Sequence, residues 1–357
     1  MNKKLIALAI VGAFAAPVAM ADSGNVVIYG KARVSVDSVD GDYAEGERRT
    51  RVSSNNSRLG FKGSEDLGNG LSAVWQVESL IKIDEQGSSL GLGTRNTFAG
   101  LAGKQWGSLT LGYQDSPLKT STGPLGVFGD TLGDYRSVFT KLSTRAKNSV
   151  LYTTPSMSGL VGRVMYGARN EAGNGNNSDP SMYALSVVYK NGPLYAALAY
   201  ENNKNVTGVP VAPATTPLNN TSSNNDAWRA GVGYTLGDLK LGLAYENNDA
   251  ENAAAVTTND GDAWYLSAAY KMGANTLSAA YTQRSDYTSG SNDGADQWTI
   301  GADHALSKRT SVYALYTMIS NDRKGTNGIG EHVGVTQVDT IGGGDPSGFS
   351  IGMNHNF

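Results

Sequence analysis

The sequence has 357 residues, a formal net charge of −3 and no cysteine. This charge argues against a basic nucleic-acid-binding protein, and the lack of cysteine excludes a fold held together by disulfides. A hydrophobic content of 39% and a mean hydropathy of −0.31 fit a polar soluble protein. They fit a membrane barrel equally well, because half of every barrel strand faces water.

The first 21 residues have the features of a secretory signal peptide. Two lysines precede an apolar run from Leu5 to Val18, and Ala19-Met20-Ala21 supplies the small residues of a cleavage site. A transmembrane anchor is the alternative, but the run is shorter than the roughly 18 residues such a helix needs. The sequence therefore predicts a signal peptide over 1–21 and one exported domain over 22–357, in which 27 basic and 32 acidic residues give a net charge of −5.

The first exported segment alternates apolar and polar residues, as a strand with one apolar face does. A strand is predicted from Asn25 to Val36, with Ile28 on its apolar side and Lys31 and Arg33 on the other. The polar stretch from Asp37 to Asn55 that follows is predicted to be a long loop.

The stretch from Asn56 to Glu78 is predicted to be a β-hairpin. Leu59 and Phe61 alternate with Arg58 and Lys62, and the sequence DLGNG then supplies a turn. A two-sheet sandwich would also bury one apolar face of such a hairpin and expose the other. This segment alone therefore leaves the fold open.

The same stretch resembles the run SRLGFKG-E-DLG-GL-A--Q-E of the Gram-negative general-diffusion porins. Two further segments are similar to porin runs: RAKNSVLYTTPSMSGL, from Arg145 to Leu160, and LSKRT with the two tyrosines after it, from Leu306 to Tyr316. The last strand, alternating from Phe349 to Phe357, resembles the C-terminal signature of outer-membrane barrels. One position departs from the pattern, since Tyr113 stands where many porins have arginine.

An insertion from Asp115 to Lys147 is too long for a simple connection between strands. Its bulky residues, among them Phe128 and Tyr135, argue against disorder. The porin resemblance implies that it is the third loop, which folds into the lumen and narrows it; an external loop is the alternative. Asp130 and Asp134 are then predicted to be the acidic residues of this loop that face a basic wall across the constriction.

The second half of the chain repeats a two-strand unit. Trp228, Trp264 and Trp298 recur 36 and 34 residues apart, a period that helical solenoids share. Strict alternation from Leu239 to Tyr245 would spread apolar residues around a helix, which excludes a solenoid. Seven short turns and eight longer loops between Asn25 and Phe357 predict about sixteen antiparallel strands in one closed barrel.

Charged residues avoid the apolar side of these predicted strands. A lysine or arginine near the bilayer midplane costs roughly 2–4 kcal/mol, and the alternate positions from Tyr183 to Tyr189 carry none. The opposite side is too rich in charge for a dry core. The fold class is therefore predicted to be all-β: a transmembrane antiparallel barrel with a wet interior, short periplasmic turns and long external loops. The basic residues predicted to line the pore are Lys31, Arg33, Arg58, Lys62 and Arg163.

These patterns predict a porin in the outer membrane of a Gram-negative bacterium, a passive diffusion channel for small hydrophilic solutes and ions that needs no cofactor or metal. A substrate-specific channel is the alternative, and a continuous track of aromatics in the lumen would favour it. The candidate aromatics, Tyr29, Tyr195, Tyr265 and Tyr313, are scattered among the strands.

An enzyme is not expected from this sequence. A barrel phospholipase or protease would need a nucleophile and a histidine at one rim, but His304, His332 and His355 show no spacing typical of a zinc site or a catalytic triad. No catalytic residue is therefore predicted.

The porin resemblance also implies the partners of the chain. These are two further copies in a homotrimer, the lipid and lipopolysaccharide of the outer membrane, and the barrel-assembly machinery, with no role for nucleic acid. Because that machinery recognises the terminal strand of such barrels, Phe357 is predicted to be the insertion signal.

Overall fold

The computed structural model of the protein describes residues 26–41, 48–85, 91–140, 142–168, 181–204, 224–251, 257–287, 290–330 and 340–357. The predicted signal peptide, its cleavage site and His332 lie outside these ranges. Within them, no helix is both long enough and apolar enough to cross a membrane.

Almost all the regular structure in these ranges is antiparallel β-sheet. The strand segments are β1 (Val27–Asp40), β2 (Arg49–Ser54), β3 (Arg58–Gly68), β4 (Leu71–Leu80), β5 (Thr97–Gly103), β6 (Gly107–Asp115), β7 (Arg145–Thr153), β8 (Leu160–Ala168), β9 (Ser181–Asn191), β10 (Leu194–Lys204), β11 (Asn224–Leu236), β12 (Leu239–Glu251), β13 (Thr257–Met272), β14 (Asn275–Arg284), β15 (Ala295–Ala305), β16 (Thr310–Asn321) and β17 (Ser347–Asn356).

The sheet closes on itself. From β3 onward each strand pairs with the next in the chain, and β17 pairs with β1 along ten positions, from Lys31 opposite Asn356 to Asp40 opposite Ser347. Both β2 and β3 pair with β1, so they are two halves of one barrel strand interrupted at 55–57. Counted in this way, the described residues form sixteen barrel strands, and the predicted all-β barrel is confirmed.

The prediction of a long loop from Asp37 to Asn55 is wrong for more than half of these residues, which lie in strands. β1 continues to Asp40 and β2 already begins at Arg49. The polar residues are extended because their partners lie inside the barrel: Asp37 is fully buried, accepts a 2.6 Å hydrogen bond from Ser53 and lies 3.6 Å from Arg51. Polarity here indicates a wet lumen rather than a loop.

The outer surface of the barrel is apolar. Alternate residues such as Ile28, Leu198 and Leu266 are 56% to 61% exposed, whereas their neighbours in sequence point inward. An apolar outer surface of this kind suits lipid. Each of ten consecutive strands, β8 to β17, contributes an outward aromatic to one aromatic belt: Tyr166, Tyr183, Tyr200, Trp228, Tyr245, Trp264, Tyr281, Trp298, Tyr316 and Phe349.

The connection between β6 and β7 folds into the barrel, as predicted for the third loop. This inner loop, residues 116–144, contains two short α-helices, α1 (Pro117–Ser121) and α2 (Arg136–Phe139), and a 3-10 helix between them (Gly123–Leu125). Apolar side chains of the loop are fully buried against inward residues of the wall; Phe139, for example, lies 6.3 Å from Tyr265 between ring centroids. Much of the buried apolar core is therefore formed where the loop meets the wall.

Candidate functional site

Three basic residues of neighbouring strands converge on the inner wall. Lys31 and Arg33 lie on β1, and Arg58, at the start of β3, stands directly opposite Lys31 in the strand register. Like charges in such a position repel each other. The wall therefore needs an anion at this point.

Asp130 of the inner loop supplies that anion. Its carboxylate lies 3.3 Å from Nη1 of Arg58 and 4.0 Å from Nζ of Lys31, and it accepts hydrogen bonds from Asn56 at 3.0 Å and Arg136 at 3.2 Å. Arg33 donates to the main-chain carbonyl groups of residues 129 and 130. The loop and the basic wall are thus in direct contact.

The surroundings of Asp130 keep it ionised. Burial acts to raise the pKa of this carboxyl, but the positive charges of Arg58, Arg136, Arg33 and Lys31 outweigh that effect and hold the pKa well below its usual range. Its backbone has a φ of 57°, a left-handed conformation that aspartate tolerates better than most residues. This conformation turns the side chain toward the wall.

Asp134 has a different position from the one predicted. It is fully buried, its two oxygens accept bonds of 2.9 and 2.6 Å from Arg136, and it also accepts from the main-chain N–H of Asp130 at 2.7 Å. Burial acts to lower the pKa of Arg136, but Asp134 and Asp130 raise it above its usual value. Asp134 therefore holds the loop in shape, and Asp130 meets the wall by contact rather than across a gap.

The other two predicted basic residues lie on the inner wall at separate points. Lys62 places its ammonium 5.0 Å from the centre of the Tyr29 ring, and Tyr29 donates to Glu78 at 3.1 Å. Arg163 of β8 donates to Thr120 of the inner loop at 3.2 Å. Lys62 and Arg163 thus belong to the lumen, each with its own partner.

Several charged residues of this region were missed as site residues. Arg95 binds Glu78 at 2.6 Å, and Asp115 lies 2.9 Å from Lys119 and 3.0 Å from Arg145. Glu78 is at an inward position of β4, so its alternation with the apolar Val77 could have identified it as a residue of the lumen. Arg95 lies just outside a strand, where no alternation indicates the direction of its side chain.

The predicted lumen aromatics do face inward, but the inner loop covers two of them. Tyr195 donates to the carbonyl of Ser121 at 2.5 Å. Tyr265 is 1% exposed, stacks on Tyr135 and accepts from the N–H of Val127 at 3.2 Å. Tyr313 is also buried. These rings support the loop and do not form a continuous track along the lumen.

The C-terminal residue lies at the closure of the barrel. Phe357 exchanges main-chain hydrogen bonds with Gly30. Two of the histidines lie on strands: His304 has its Nδ1 2.8 Å from Asn275, and His355 has its Nδ1 2.9 Å from Thr310. Both therefore have simple polar partners at strand ends.

Comparison with known proteins agrees with this architecture. A sequence model described as Gram-negative porin matches residues 7–324. The major outer membrane protein P.IB of Neisseria meningitidis serogroup A / serotype 4A is 32% identical over the whole of both chains, and that of Neisseria lactamica is 30% identical over 87% of this chain and 91% of the relative.

Solved structures share the fold. An anion-selective porin from Comamonas acidovorans superposes with a TM-score of 0.80 at 24% identity, covering 94% of this chain and 100% of that one. The trimer form of OmpT, an outer membrane protein of Vibrio cholerae, gives a TM-score of 0.70 at 20% identity over 94% and 100% of the two chains. The chain belongs to the Gram-negative porin family: it is a channel of the outer membrane for the passive diffusion of small hydrophilic solutes and ions.

Proposed function

We propose that solutes cross the barrel beside Asp130, along the water-exposed surface that the basic wall and the Asp130 edge of the inner loop form together. The observation that supports this proposal is the difference in solvent exposure between the side chains on the two sides of the inner loop. The side chains of Lys31, Arg58, Asp130 and Arg136 are 18% to 22% exposed, whereas the residues on the other side of the loop, such as Leu118 and Phe139, are fully buried. Water reaches one side of the loop and is excluded from the other.

The charges at this passage favour anions. In the part of the chain from β1 to β8, which includes the inner loop, nine cationic side chains and four anionic ones contact the inner loop or side chains linked to it. We call these thirteen residues the lumen charge cluster: Lys31, Arg33, Arg58, Lys62, Arg95, Lys119, Arg136, Arg145 and Arg163 with Glu78, Asp115, Asp130 and Asp134. Rings of lysine and arginine select anions in other pores. The excess of positive charge therefore supports a channel that passes both signs and prefers anions.

Reversal potentials in planar bilayers under a KCl gradient test this proposal. We expect the potential to move from zero toward the equilibrium potential of chloride, and to move further at low salt because screening is weaker there. A potential that moves toward the potassium value would contradict the proposal.

The alternative of a substrate-specific channel has less support. Such a channel would need aromatic faces along the passage, and Tyr265 and Tyr313 are buried instead. An enzyme also has less support: His304 contacts Asn275 and His355 contacts Thr310, and among the described residues neither ring has a carboxylate partner that would orient it as a catalytic base. We therefore propose a general-diffusion pore without catalytic activity.

A homotrimer is the proposed assembly, and the aromatic belt supports it. The belt ends at Tyr166 and Phe349, whose partners on the next strands are Val150 and Ser38. Aromatic belts mark the boundary with lipid, and β5 has seven residues where a strand exposed to lipid needs about 9–11. The sector from β1 to β7 is thus suited to neighbouring subunits. A band of three times the monomer mass on unheated gels, converted to the monomer band by heating, would support the trimer. A monomer after extraction under native conditions would contradict it.

Export and membrane contacts complete the proposal. Residues 1–21 direct export and are removed before Asp22, the assembly machinery recognises the terminal strand, and lipopolysaccharide surrounds the external half of the barrel. N-terminal sequencing of the purified protein tests the cleavage site directly, and any other first residue would contradict it.

A further inference from the structure

Arg229 is the largest fully buried side chain among the described residues, and it lies on β11, outside the lumen charge cluster. It is 2% exposed and occupies an inward position of β11, opposite Glu246 of β12. Its Nε donates to Glu246 at 2.8 Å, and its Nη2 also bonds that carboxylate. The pair therefore fixes the guanidinium plane against the wall.

The remaining donors of Arg229 reach both ends of the inner loop. At the start of the loop, Nη1 donates to the carbonyl of Leu118 at 3.0 Å and to Thr122 at 3.3 Å. At the end of the loop, Nη2 donates to Thr140 at 2.9 Å and to the carbonyl of Leu142 at 3.3 Å. One planar guanidinium thus joins two segments far apart in the loop, which a lysine ammonium cannot do with the same geometry.

Other wall residues hold single points of the loop. Lys240 donates to the carbonyl of Pro124, and Ser267 donates to that of Leu125 at 2.9 Å. A single contact leaves a segment free to turn about it. A shared contact fixes the two ends relative to each other and so fixes how far the middle of the loop projects from the wall.

Stability alone gives little reason for a buried ion pair at this position. Replacing such a pair with apolar residues of similar size is often neutral or stabilising, because both charges had to leave water. Geometry is what the pair provides here. We propose that Arg229, oriented by Glu246, is a positioning residue that clamps both ends of the inner loop and thereby sets the width of the passage beside Asp130. This inference rests on the proposed location of that passage.

The test uses the full-length porin with Arg229→Met and Glu246→Met combined, so that no single charge is left buried. We expect single-channel conductance and open-channel noise to rise and the reversal potential to move toward zero, while the barrel remains heat-modifiable on gels. Lys240→Met, which removes one cationic contact with the loop, is the matched control and should cause a smaller change in all three.

A reversible tether separates positioning from a charge effect. A Cβ placed at Gly231 would lie 3.1 Å from Cγ2 of Thr122, within reach of a disulfide, and 2.8 Å from Cδ1 of Leu125, a flexible side-chain end that would shift to make room. The chain has no cysteine of its own. In the double-methionine background, Thr122→Cys with Gly231→Cys fixes the start of the loop alone, so oxidation should restore part of the original conductance and noise and reduction should remove that part again.

Two results would overturn the inference. One is a folded double variant with the conductance, noise and reversal potential of the parent. The other is a tether that forms without restoring any of them. If the parent channel did not prefer anions, the anion selectivity proposed above would be wrong. Conductance and noise would still test whether Arg229 positions the inner loop.

Discussion

Gly30 and Phe357 exchange two main-chain hydrogen bonds, of 3.0 and 3.1 Å, across the seam of the barrel. The space over Gly30 is taken by the terminal ring, since a Cβ at residue 30 would lie 2.3 Å from its Cζ. The last residue of the chain therefore packs on the first strand, and the seam depends on both residues.

Truncating the terminal side chain should impair assembly. We expect Phe357→Ala to reduce the amount of folded porin in the outer membrane, because the ring that covers Gly30 is lost together with the terminal aromatic. Phe349→Ala is the matched control: Phe349 is an outward phenylalanine of β17 with nearly the same exposure, 41% against 43% for Phe357, and its truncation should leave surface levels largely unchanged. Equal surface levels for the two variants, measured by quantitative blotting of outer-membrane fractions, would show that Phe357 has no special role.

Neutralising Asp130 should increase anion preference. A unit charge at about 4 Å changes the energy of an ion by about 1 kcal/mol in water and about 4 kcal/mol at an effective dielectric constant of 20. Asp130→Asn removes the anion that lies against Lys31 and Arg58, so we expect the reversal potential under a KCl gradient to shift further toward chloride. Arg58→Gln combined with Lys62→Gln should shift it the other way.

Asp134→Asn serves as the control for the Asp130 variant. Its carboxylate is fully buried and bound to Arg136, so its removal should loosen the inner loop and raise channel noise more than it changes selectivity. Equal selectivity shifts from both asparagine variants would mean that both carboxylates face the permeating ions.

The contribution of Asp130 to selectivity should be insensitive to mild acid. The pKa of Asp130 is held well below its usual value, so its contribution to stability is present above the unfolded pKa of about 3.9 and is lost only as the pH falls through the lower folded pKa. We expect the loop to keep its contact with Arg58, and the difference in reversal potential between the parent and Asp130→Asn to persist, as the pH falls from neutral to the unfolded carboxyl pKa of about 3.9. A titration of selectivity centred near the ordinary carboxyl pKa in the parent, and absent from Asp130→Asn, would show that this carboxyl is not held ionised.

The alternation of apolar and polar residues made most of the barrel strands predictable from the sequence. In β3, Leu59 and Phe61 could be assigned to one face and Arg58 and Lys62 to the other because a strand has a period of two residues. The location of the inner loop also followed from its length and apolar content together with the family resemblance. These are local properties, and a single sequence carries them.

The pairing of charges within the lumen could not be predicted in the same way. Asp130 and Asp134 look equivalent in sequence, yet the left-handed backbone at Asp130 sends one carboxylate to the wall and leaves the other bound to Arg136, two residues on. The role of Arg229 depends on both ends of the loop meeting one strand. Such contacts depend on tertiary register, which no local pattern encodes.

The last external loop should restrain the inner loop through Ile329. Ile329 is fully buried in one apolar cluster with Leu132 of the inner loop and Val39 of β1, and both Leu132 and Ile329 approach Gly348 so closely that a Cβ there would lie 2.6 and 3.0 Å from them. Ile329→Ala would leave a cavity at this contact, and truncations of this kind cost about 2–5 kcal/mol in well-packed cores. Because the barrel sheet does not depend on this contact, we expect the loss to appear as looser packing of the inner loop: more open-channel noise and faster cleavage of the inner loop by added protease, with the barrel still heat-modifiable on gels.

Ile341→Ala, in the same external connection but 49% exposed, should behave like the parent. If the two alanine variants had the same open-channel noise and the same resistance to protease, the last external loop would not hold the inner loop in place.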